Sequence, residues 1–278
     1  MAVTDSATAL PTVEAEMNFT VRSAEKPKVI MSVDQAQPNK RTGEYALTRV
    51  PIADARALSQ APQLDREGFE LITSRTKVTD FYDEQQIKDI YYPEVIALLK
   101  AETGATDVHI FDHTLRVQDD KKRTEQGTRL PVPIVHNDYT EWSGPQRVRD
   151  VLEPEKSQRY LSGRFSMVNV WRSFGESAER FPLAAADGRT MTEDDYIGVD
   201  MVYSDRVGEI YQNAYSDAQR WYYFSNMTPD EAILLKCFDT ARDGRTRYTA
   251  HSGFENASAP AGTPPRESIE VRTLLSFA

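Results

Sequence analysis

A histidine and an aspartate stand two residues apart in His136-Asn137-Asp138, directly after the apolar run PVPIV. In an extended strand, side chains two positions apart point to the same face, so this imidazole and this carboxylate can converge on one ion. His251, at the end of the strand-like run TRYTA, is the candidate for a third ligand from a distant segment. Two histidines and one carboxylate that leave open positions are the ligand set of non-haem Fe(II) oxygenases. We therefore predict a metal site made of His136, Asp138 and His251.

The same three ligands are compatible with other functions. Zinc also accepts two histidines and a carboxylate with one open position, so a metal-dependent hydrolase is an alternative. Its weakness is the lack of an obvious general-base glutamate beside the ligands, although Glu141 is close in sequence. A non-catalytic accessory subunit of a tailoring complex is a third hypothesis, which the intact ligand set disfavours. Metal content and O2 dependence would distinguish the three.

The last strand-like run, PRESIEVRTLLSF, carries candidate carboxylate-binding residues. By strand alternation, Arg266, Ser268, Glu270 and Arg272 share one face. We expect Arg266 and Ser268 to hold a carboxylate, because a guanidinium and a hydroxyl can bind it together. Arg272 is a second candidate anchor, and Arg172 in the run NVWR is a third. The alternative for the last strand is a solvated face that carries a pair between Glu270 and an arginine.

The elements that must position these residues are mostly strands. After Gly104 the chain consists of short β-branched and aromatic runs separated by turn residues, and this pattern favours a jelly roll or a related barrel. Residues 80–104 have helical spacing. Two helical insertions are expected, in QRVRDVLEP and from Thr228 onward, where Pro229 would occupy the first helical position. The polar stretch 118–130 is expected to form a mobile loop near the metal site.

Composition limits the function further. The formal net charge of −10 over 278 residues argues against nucleic acid or an anionic membrane surface as the main partner. The single cysteine, Cys237, excludes an internal disulfide and favours the cytoplasm. We expect a disordered tail over 1–15 and one domain over 16–278. Within this domain, the strands and helices of 16–104 should pack on a jelly-roll core formed by 105–278.

Several segments resemble a known family. The matching runs are DREGFEL, YYPEV, FDHTLR, VHNDYT, NVWR, RWYYF, MTPDEAILLKCFDT, AHSGF and PRESIEVR, which extend from about residue 65 to the C-terminus. Together they resemble the aspergillic-acid hydroxylase and gibberellin-desaturase-like group of Fe(II)/2-oxoglutarate-dependent oxygenases. This group includes a protein involved in cephamycin 7α-methoxylation. The chain departs from it at Gln219, where members often have histidine.

This resemblance implies a mainly β fold with a double-stranded β-helix (cupin-like jelly-roll) core and flanking helices. It also implies that His136, Asp138 and His251 match the iron ligands. The expected function is therefore that of an Fe(II)/2-oxoglutarate-dependent hydroxylase or desaturase. Such an enzyme acts on a small natural-product intermediate while it converts 2-oxoglutarate and O2 to succinate and CO2. The expected partners are a small-molecule substrate and, as one option for assembly, a second copy of the chain.

Overall fold

Most of the described chain is arranged in β-strands. The computed structural model describes residues 10–32 and 39–278. Its strands, in chain order, are β1 (Thr12–Val21), β2 (Lys28–Ile30), β3 (Lys40–Arg41), β4 (Glu44–Asp54), β5 (Phe69–Thr73), β6 (Asp107–Val117), β7 (His136–Asn137), β8 (Phe165–Ser173), β9 (Leu183–Ala186), β10 (Tyr196–Val202), β11 (Val207–Asn213), β12 (Trp221–Tyr223), β13 (Glu231–Asp239), β14 (His251–Gly253) and β15 (Glu267–Ser276).

These strands form two sheets. The larger sheet has ten strands in the order β1-β4-β12-β9-β14-β7-β11-β10-β2-β3. The smaller sheet has five, in the order β5-β13-β8-β15-β6, and its four neighbouring pairs are antiparallel. Apart from the consecutive pairs β10-β11 and β2-β3, neighbours in the sheets are not consecutive strands, as expected of a jelly roll. The predicted mainly β jelly-roll architecture is confirmed.

Helical segments lie at the start of the core and between its strands. A short helix α1 (Glu84–Gln86) continues through a π-helical turn (Ile87–Tyr91) into α2 (Tyr92–Thr103), which ends at Gly104 with a left-handed φ of 70°. The remaining helices are α3 (Asp120–Gln126), α4 (Ser143–Val151) and α5 (Pro154–Leu161). The helical prediction for 80–104 is confirmed, and so is the insertion QRVRDVLEP, which forms α4.

The five-stranded sheet is covered on both faces. Its outer face packs on α2 and the preceding turn through a cluster that includes Tyr91, Val95, Leu99, Val170 and Val271. Its inner face packs against the larger sheet through a second cluster, which includes Trp171, Leu235 and Ala185. Every residue of β8 is consequently buried. The inner cluster is the core that supports the predicted site.

Three sequence-based expectations need correction. Residues 1–9 lie outside the described residues, but the rest of the expected tail is not disordered, because β1 begins at Thr12 and pairs with β4. The strands of 16–104 are members of the two sheets and do not merely pack on them, since β1 and β4 extend the larger sheet and β5 pairs with β13. The insertion expected at Thr228 is a turn that leads into β13. There the buried run AILLKCF favours a strand that pairs on both sides.

The polar stretch 118–130 also differs from its prediction as a loop. It contains α3, whose first turn is capped by the Asp119 side chain accepting a hydrogen bond from the Lys122 amide. The Lys122 ammonium forms an ion pair with Glu267 at 2.7 Å. Arg129 forms an isolated β-bridge with Arg116. The stretch is therefore tied to β6 and β15.

Among the described residues, no helix is both long and apolar enough to cross a membrane.

Candidate active site

Two neighbouring strands bring the predicted metal ligands together. β14 pairs with β7 so that His251 lies directly opposite His136, although the two residues are far apart in sequence. The two imidazole ring centres are 4.5 Å apart. One potential ligand atom from each of His136, Asp138 and His251 lies within 4.8 Å of the others. All three predicted metal-ligating side chains therefore meet at one point beside the inner face of the barrel.

Backbone contacts orient both imidazoles. His136 Nδ1 lies 2.7 Å from the Ile134 carbonyl oxygen, and His251 Nδ1 lies 2.9 Å from that of Thr249. Since a carbonyl oxygen only accepts, Nδ1 carries a proton in each ring, and Nε2 is the ring atom directed toward the other ligands. Burial, together with the neighbouring His251, lowers the pKa of His136 to about 4, so His136 is neutral at pH 7. A neutral imidazole is the form that binds a metal.

The Asp138 carboxylate is held by one of its oxygens. Oδ2 accepts a hydrogen bond from Asn169 Nδ2 at 2.7 Å and lies 3.4 Å from Arg272 Nε. Oδ1 points toward the histidines and is 3.6 Å from His136 Nε2. Burial alone would raise the pKa of Asp138, but the Arg272 charge, the two neighbouring histidines and the hydrogen bond from Asn169 together outweigh it and hold that pKa well below its usual range. The carboxylate is therefore charged, with Oδ1 available to a cation.

The Arg272 guanidinium contacts three carboxylates beside the metal cluster and is therefore not free to anchor a cosubstrate. Besides Asp138, its guanidinium contacts Glu270 Oε2 at 3.2 Å and Asp112 Oδ2 at 3.1 Å. Glu270 Oε1 in turn accepts a hydrogen bond from Asn169 Nδ2 at 2.6 Å. The expected alternation is observed, because Glu270 and Arg272 face Trp171 and Asn169 across β15 and β8. The geometry makes Arg272 a support for Asp138, in contrast to the sequence-based expectation.

Arg266 and Ser268 meet on the same face of β15, further from the metal cluster. Arg266 Nε donates to Ser268 Oγ at 3.0 Å, and its Nη1 donates to the Phe181 carbonyl oxygen at 3.0 Å. The guanidinium lies 5.0 Å from the centre of the Trp171 ring. No carboxylate of the described residues lies within ion-pair distance of this buried cation. Burial is the main cause that lowers the pKa of Arg266 to about 9.

Arg172 faces the other side of β8, which corrects its prediction as an anchor. Its Nε donates to the Tyr91 hydroxyl at 3.0 Å, and its Nη2 donates to the Ser74 carbonyl oxygen at 2.6 Å. Its Nη1 donates to the Pro229 carbonyl oxygen. These partners belong to the outer layer near α2 and the turn before β13. Trp171 faces inward, so strand alternation directs the next residue, Arg172, outward. Its contacts there indicate a structural role.

The donor set fits an Fe(II) ion and 2-oxoglutarate. Two imidazoles and one carboxylate suit Fe(II), and three protein ligands leave positions for a chelating cosubstrate and O2. The buried, unpaired Arg266 guanidinium suits the far carboxylate of 2-oxoglutarate, because a buried cation without a counter-ion is costly. Glu141, the nearest candidate base for a hydrolase, is instead paired with Arg242 at 2.9 Å and with Arg247. The site therefore favours oxygenase chemistry.

Asn169 is the functional candidate whose role the sequence did not define. Its amide bridges Asp138 and Glu270, while its Oδ1 is buried without a hydrogen-bond partner among the described residues. Because all of β8 is buried, hydropathy gives no sign of which side chains face inward. A polar residue in the middle of such a run is the only available signal, and it does not name the partner.

Comparison with known proteins identifies relatives along most of the chain. A family model described as an oxidoreductase/YMDC permease-like domain matches residues 17–276. The hydroxylase/desaturase efuI of Hormonema carpetanum is 35% identical over 254 residues, which cover 84% of this chain and 84% of that protein. The Fe(II)/2-oxoglutarate-dependent dioxygenase nvfI of Aspergillus novofumigatus is 31% identical, over 94% of this chain and 96% of its own length.

A solved structure agrees with this result. The iron and alpha-ketoglutarate-dependent endoperoxidase NvfI superposes with a TM-score of 0.84 at 28% identity and covers 96% of this chain and 98% of its own. The fold, the His-Asp-His cluster and the relatives thus point to the same chemistry, with Fe(II), 2-oxoglutarate and O2 as its cofactor and cosubstrates. The chain belongs to the oxidoreductase family of these hydroxylases/desaturases and is an Fe(II)/2-oxoglutarate-dependent dioxygenase.

Proposed function

We propose that this enzyme oxidises a C–H bond of a small natural-product intermediate, by hydroxylation or desaturation, with iron held by His136, Asp138 and His251. The observation that carries the proposal is the convergence of the three side chains to within 4.8 Å from two paired strands. In this assignment the ligand atoms are the two Nε2 atoms and Asp138 Oδ1. The protonated Nδ1 atoms and the partners of Asp138 Oδ2 support this choice.

In the same proposal, Arg266 and Ser268 hold the distal carboxylate of 2-oxoglutarate. Ser268 fixes the guanidinium through Nε, and the Phe181 carbonyl oxygen fixes it through Nη1. The ring of Trp171 packs against it and keeps water from one side. A guanidinium that is already oriented loses little side-chain freedom when it binds a carboxylate. The cosubstrate would thus be placed by a guanidinium whose orientation these contacts already set.

The side chains of the site have separate tasks in this mechanism. Bound Fe(II) supplies the O2 activation that converts 2-oxoglutarate to succinate and CO2 and oxidises the substrate. His136 and His251 would supply nitrogen ligands, and Asp138 a carboxylate that Asn169 and Arg272 keep in one orientation. The apolar inner cluster around Trp171 excludes water from the site. The chain therefore positions the reactants and shields them.

The substrate class is inferred from the relatives and from charge. The relatives' names specify hydroxylase, desaturase, dioxygenase or endoperoxidase activities. The net charge of −10 disfavours a polyanionic substrate, which supports a small molecule. A cytoplasmic location is proposed from the single, buried Cys237. Homodimer formation, and a single domain over 16–278, stay predictions.

An anaerobic titration tests the iron site. Fe(II) and 2-oxoglutarate added to the apoprotein should produce the visible charge-transfer absorption of the chelate, and O2 should then yield succinate. His136→Ala should abolish both signals, because one of three ligands is lost. His113→Ala is the matched control, since His113 contacts the Tyr92 hydroxyl at 2.7 Å on the outer side of the barrel. An unchanged absorption band in His136→Ala would disprove the ligand assignment.

A further inference from the structure

A second arginine points toward the same pocket as Arg266. On β6, Arg116 lies directly opposite Ser268 of β15, and Ser268 accepts the hydrogen bond from Arg266 Nε. Thr114, two residues earlier on β6, shares this face and accepts a hydrogen bond from Arg272 Nη1 at 2.9 Å. Alternation therefore directs Arg116 to the inner side of the strand. The two guanidinium groups consequently border one region of the barrel.

Neither guanidinium has a counter-ion within residues 10–32 and 39–278. Arg116 Nη1 donates to the Leu130 carbonyl oxygen at 2.8 Å, and no carboxylate of the described residues lies within 4.0 Å of it or of Arg266. Glu270 is the carboxylate whose charge acts most strongly on Arg116, but its two oxygens are bound by Asn169 and Arg272. Two neighbouring cations in a partly buried pocket repel each other and are costly to desolvate. Their arrangement is explained by an anion that binds between them.

A third polar group in this region, the indole N–H of Trp171, lacks a hydrogen-bond partner among the described residues. Trp171, opposite Glu270 on the adjacent strand, is buried, and its Nε1 has no hydrogen-bond partner among the described residues. The Arg266 guanidinium packs against the ring of this tryptophan. An unsatisfied buried N–H next to unpaired cations is another donor for an acceptor-rich ligand. Carboxylate oxygens are such acceptors.

We propose that Arg116 is a second cosubstrate-binding residue, which together with Arg266 binds the distal carboxylate of 2-oxoglutarate. The inference rests on the proposed function, because it takes 2-oxoglutarate as the ligand of this pocket. Two guanidinium groups can bind both oxygens of one carboxylate from different sides. Arg116 would therefore contribute to the choice of a dicarboxylate over a 2-oxo acid that lacks the second carboxylate.

The experiment compares 2-oxoglutarate with 2-oxopentanoate, which keeps the chelating 2-oxo acid group but lacks the distal carboxylate. Affinities are measured anaerobically with Fe(II) from the charge-transfer band, for the wild type and for Arg116→Met. The substitution should weaken 2-oxoglutarate binding by roughly 10- to 100-fold, the effect expected of one charge-assisted interaction. The affinity for 2-oxopentanoate should stay the same. An unchanged preference between the two acids, or equal weakening of both, would overturn the proposal.

Two further measurements separate binding from a structural role. Without ligand, Arg116→Met should melt at the same temperature as the wild type or higher, because an unpaired charge is removed, and its stabilisation by 2-oxoglutarate should shrink. A clearly lower melting temperature with an undiminished response to 2-oxoglutarate would assign Arg116 to the fold and refute the proposal. Arg129→Met is the matched control, since it removes an exposed charge paired in register with Arg116. If Arg129→Met lost the preference for 2-oxoglutarate over 2-oxopentanoate to the same extent, the effect would come from long-range electrostatics and not from direct contact of Arg116 with the carboxylate. That result would also overturn the proposal.

Failure of this inference is distinguishable from failure of the iron assignment. If Arg116→Met gives the charge-transfer band with 2-oxopentanoate at wild-type affinity, then its iron site is intact. The His136→Ala variant, by contrast, should give no band with either acid. Normal 2-oxoglutarate selectivity in Arg116→Met would therefore remove Arg116 from the cosubstrate site and leave His136, Asp138 and His251 unaffected.

Discussion

Replacement of Arg272 by methionine would leave two nearly buried carboxylates, those of Asp138 and Glu270, without their shared cation. The side chains of Arg272, Asp138 and Glu270 are 14%, 13% and 9% exposed. Asn169 would still donate a hydrogen bond to both carboxylates, but it carries no charge. Loss of one partner from a buried ion pair typically costs about 3–5 kcal/mol, because the remaining charge stays desolvated.

We expect the lower end of this range for the apoprotein, because Asn169 compensates in part and Asp112, the third carboxylate, is 47% exposed. A loss of about 3 kcal/mol corresponds to a decrease of roughly 6–12 °C in melting temperature for a chain of this size class. Affinity for 2-oxoglutarate should change less than about threefold, since the Arg272 guanidinium is already engaged by Asp138, Glu270 and Asp112. Stability, and not cosubstrate affinity, is thus the main expected effect.

Thermal unfolding of the metal-free protein and the anaerobic titration measure the two quantities. The double variant Arg272→Met/Glu270→Gln is the matched control, because it removes one carboxylate charge together with the cation and should regain much of the lost stability. A single variant that melts within about 1 °C of the wild type, but binds 2-oxoglutarate more than tenfold more weakly, would refute this reasoning. That result would restore Arg272 as the anchor.

Three further substitutions test other parts of the structure. Arg172→Met should lower the melting temperature, because the contacts with Tyr91 and Ser74 are lost, while the preference for 2-oxoglutarate over 2-oxopentanoate should not change; a change in preference would contradict its outer position. Gly253→Ala should weaken 2-oxoglutarate binding several-fold in the same titration, since a Cβ there would lie 2.4 Å from Phe181 Cε1 and 3.3 Å from Arg266 Nη1; normal binding would mean that Phe181 moves freely. Burial alone would raise the pKa of Asp107, but Lys156 and Tyr160 outweigh it and lower that pKa. Because the folded-state pKa lies below the unfolded value of about 4, the stability that Asp107 contributes is present above pH 4 and is lost as the pH falls through the folded-state pKa. Urea unfolding of Asp107→Asn should therefore show a deficit of about 1 kcal/mol or less at pH 7, discounted because the side chain is 35% exposed, and no deficit near pH 2. A deficit that persists at low pH would exclude the charge as its cause.

The metal cluster is the part of the site that the sequence predicts best. The two-residue spacing of His136 and Asp138 predicts that both side chains lie on one face of a strand. The chain has only four histidines, so few are candidates for the third ligand. The turn at Thr228 shows the opposite case. Its helix-start signal is real, since Glu231 Oε2 accepts a hydrogen bond from the Thr228 amide at 2.9 Å. The buried run that follows nevertheless pairs with β5 and β8, and tertiary pairing overrides the local signal.

The anchor residues illustrate what sequence cannot provide. Arg172 and Arg272 lie on β8 and β15 among residues that are nearly all buried, so hydropathy does not distinguish the inner from the outer face. Their roles depend on partners such as Tyr91 and Asp138, which are distant in the chain. Similarly, α3 is too polar to reveal a packed face, and it is tied down by its contact between Lys122 and Glu267. Such contacts follow from the fold and not from local pattern.

The bulge between β6 and β15 has a consequence for insertions and deletions. Arg272 pairs with Asp112, but Thr273 pairs with Ile110, so Phe111 is the extra residue on β6. It changes the alternation: Ile110 packs in the outer cluster and Phe111 in the inner one, while Arg116 further along is directed inward. Deletion of this one residue would let the strand pair without interruption and would still leave Ile110 outward and Arg116 inward, because the remaining residues then alternate regularly. Variants that lack Phe111 should therefore keep the cationic side chain in the pocket, whereas a strand of unchanged length without the bulge would turn it toward α2.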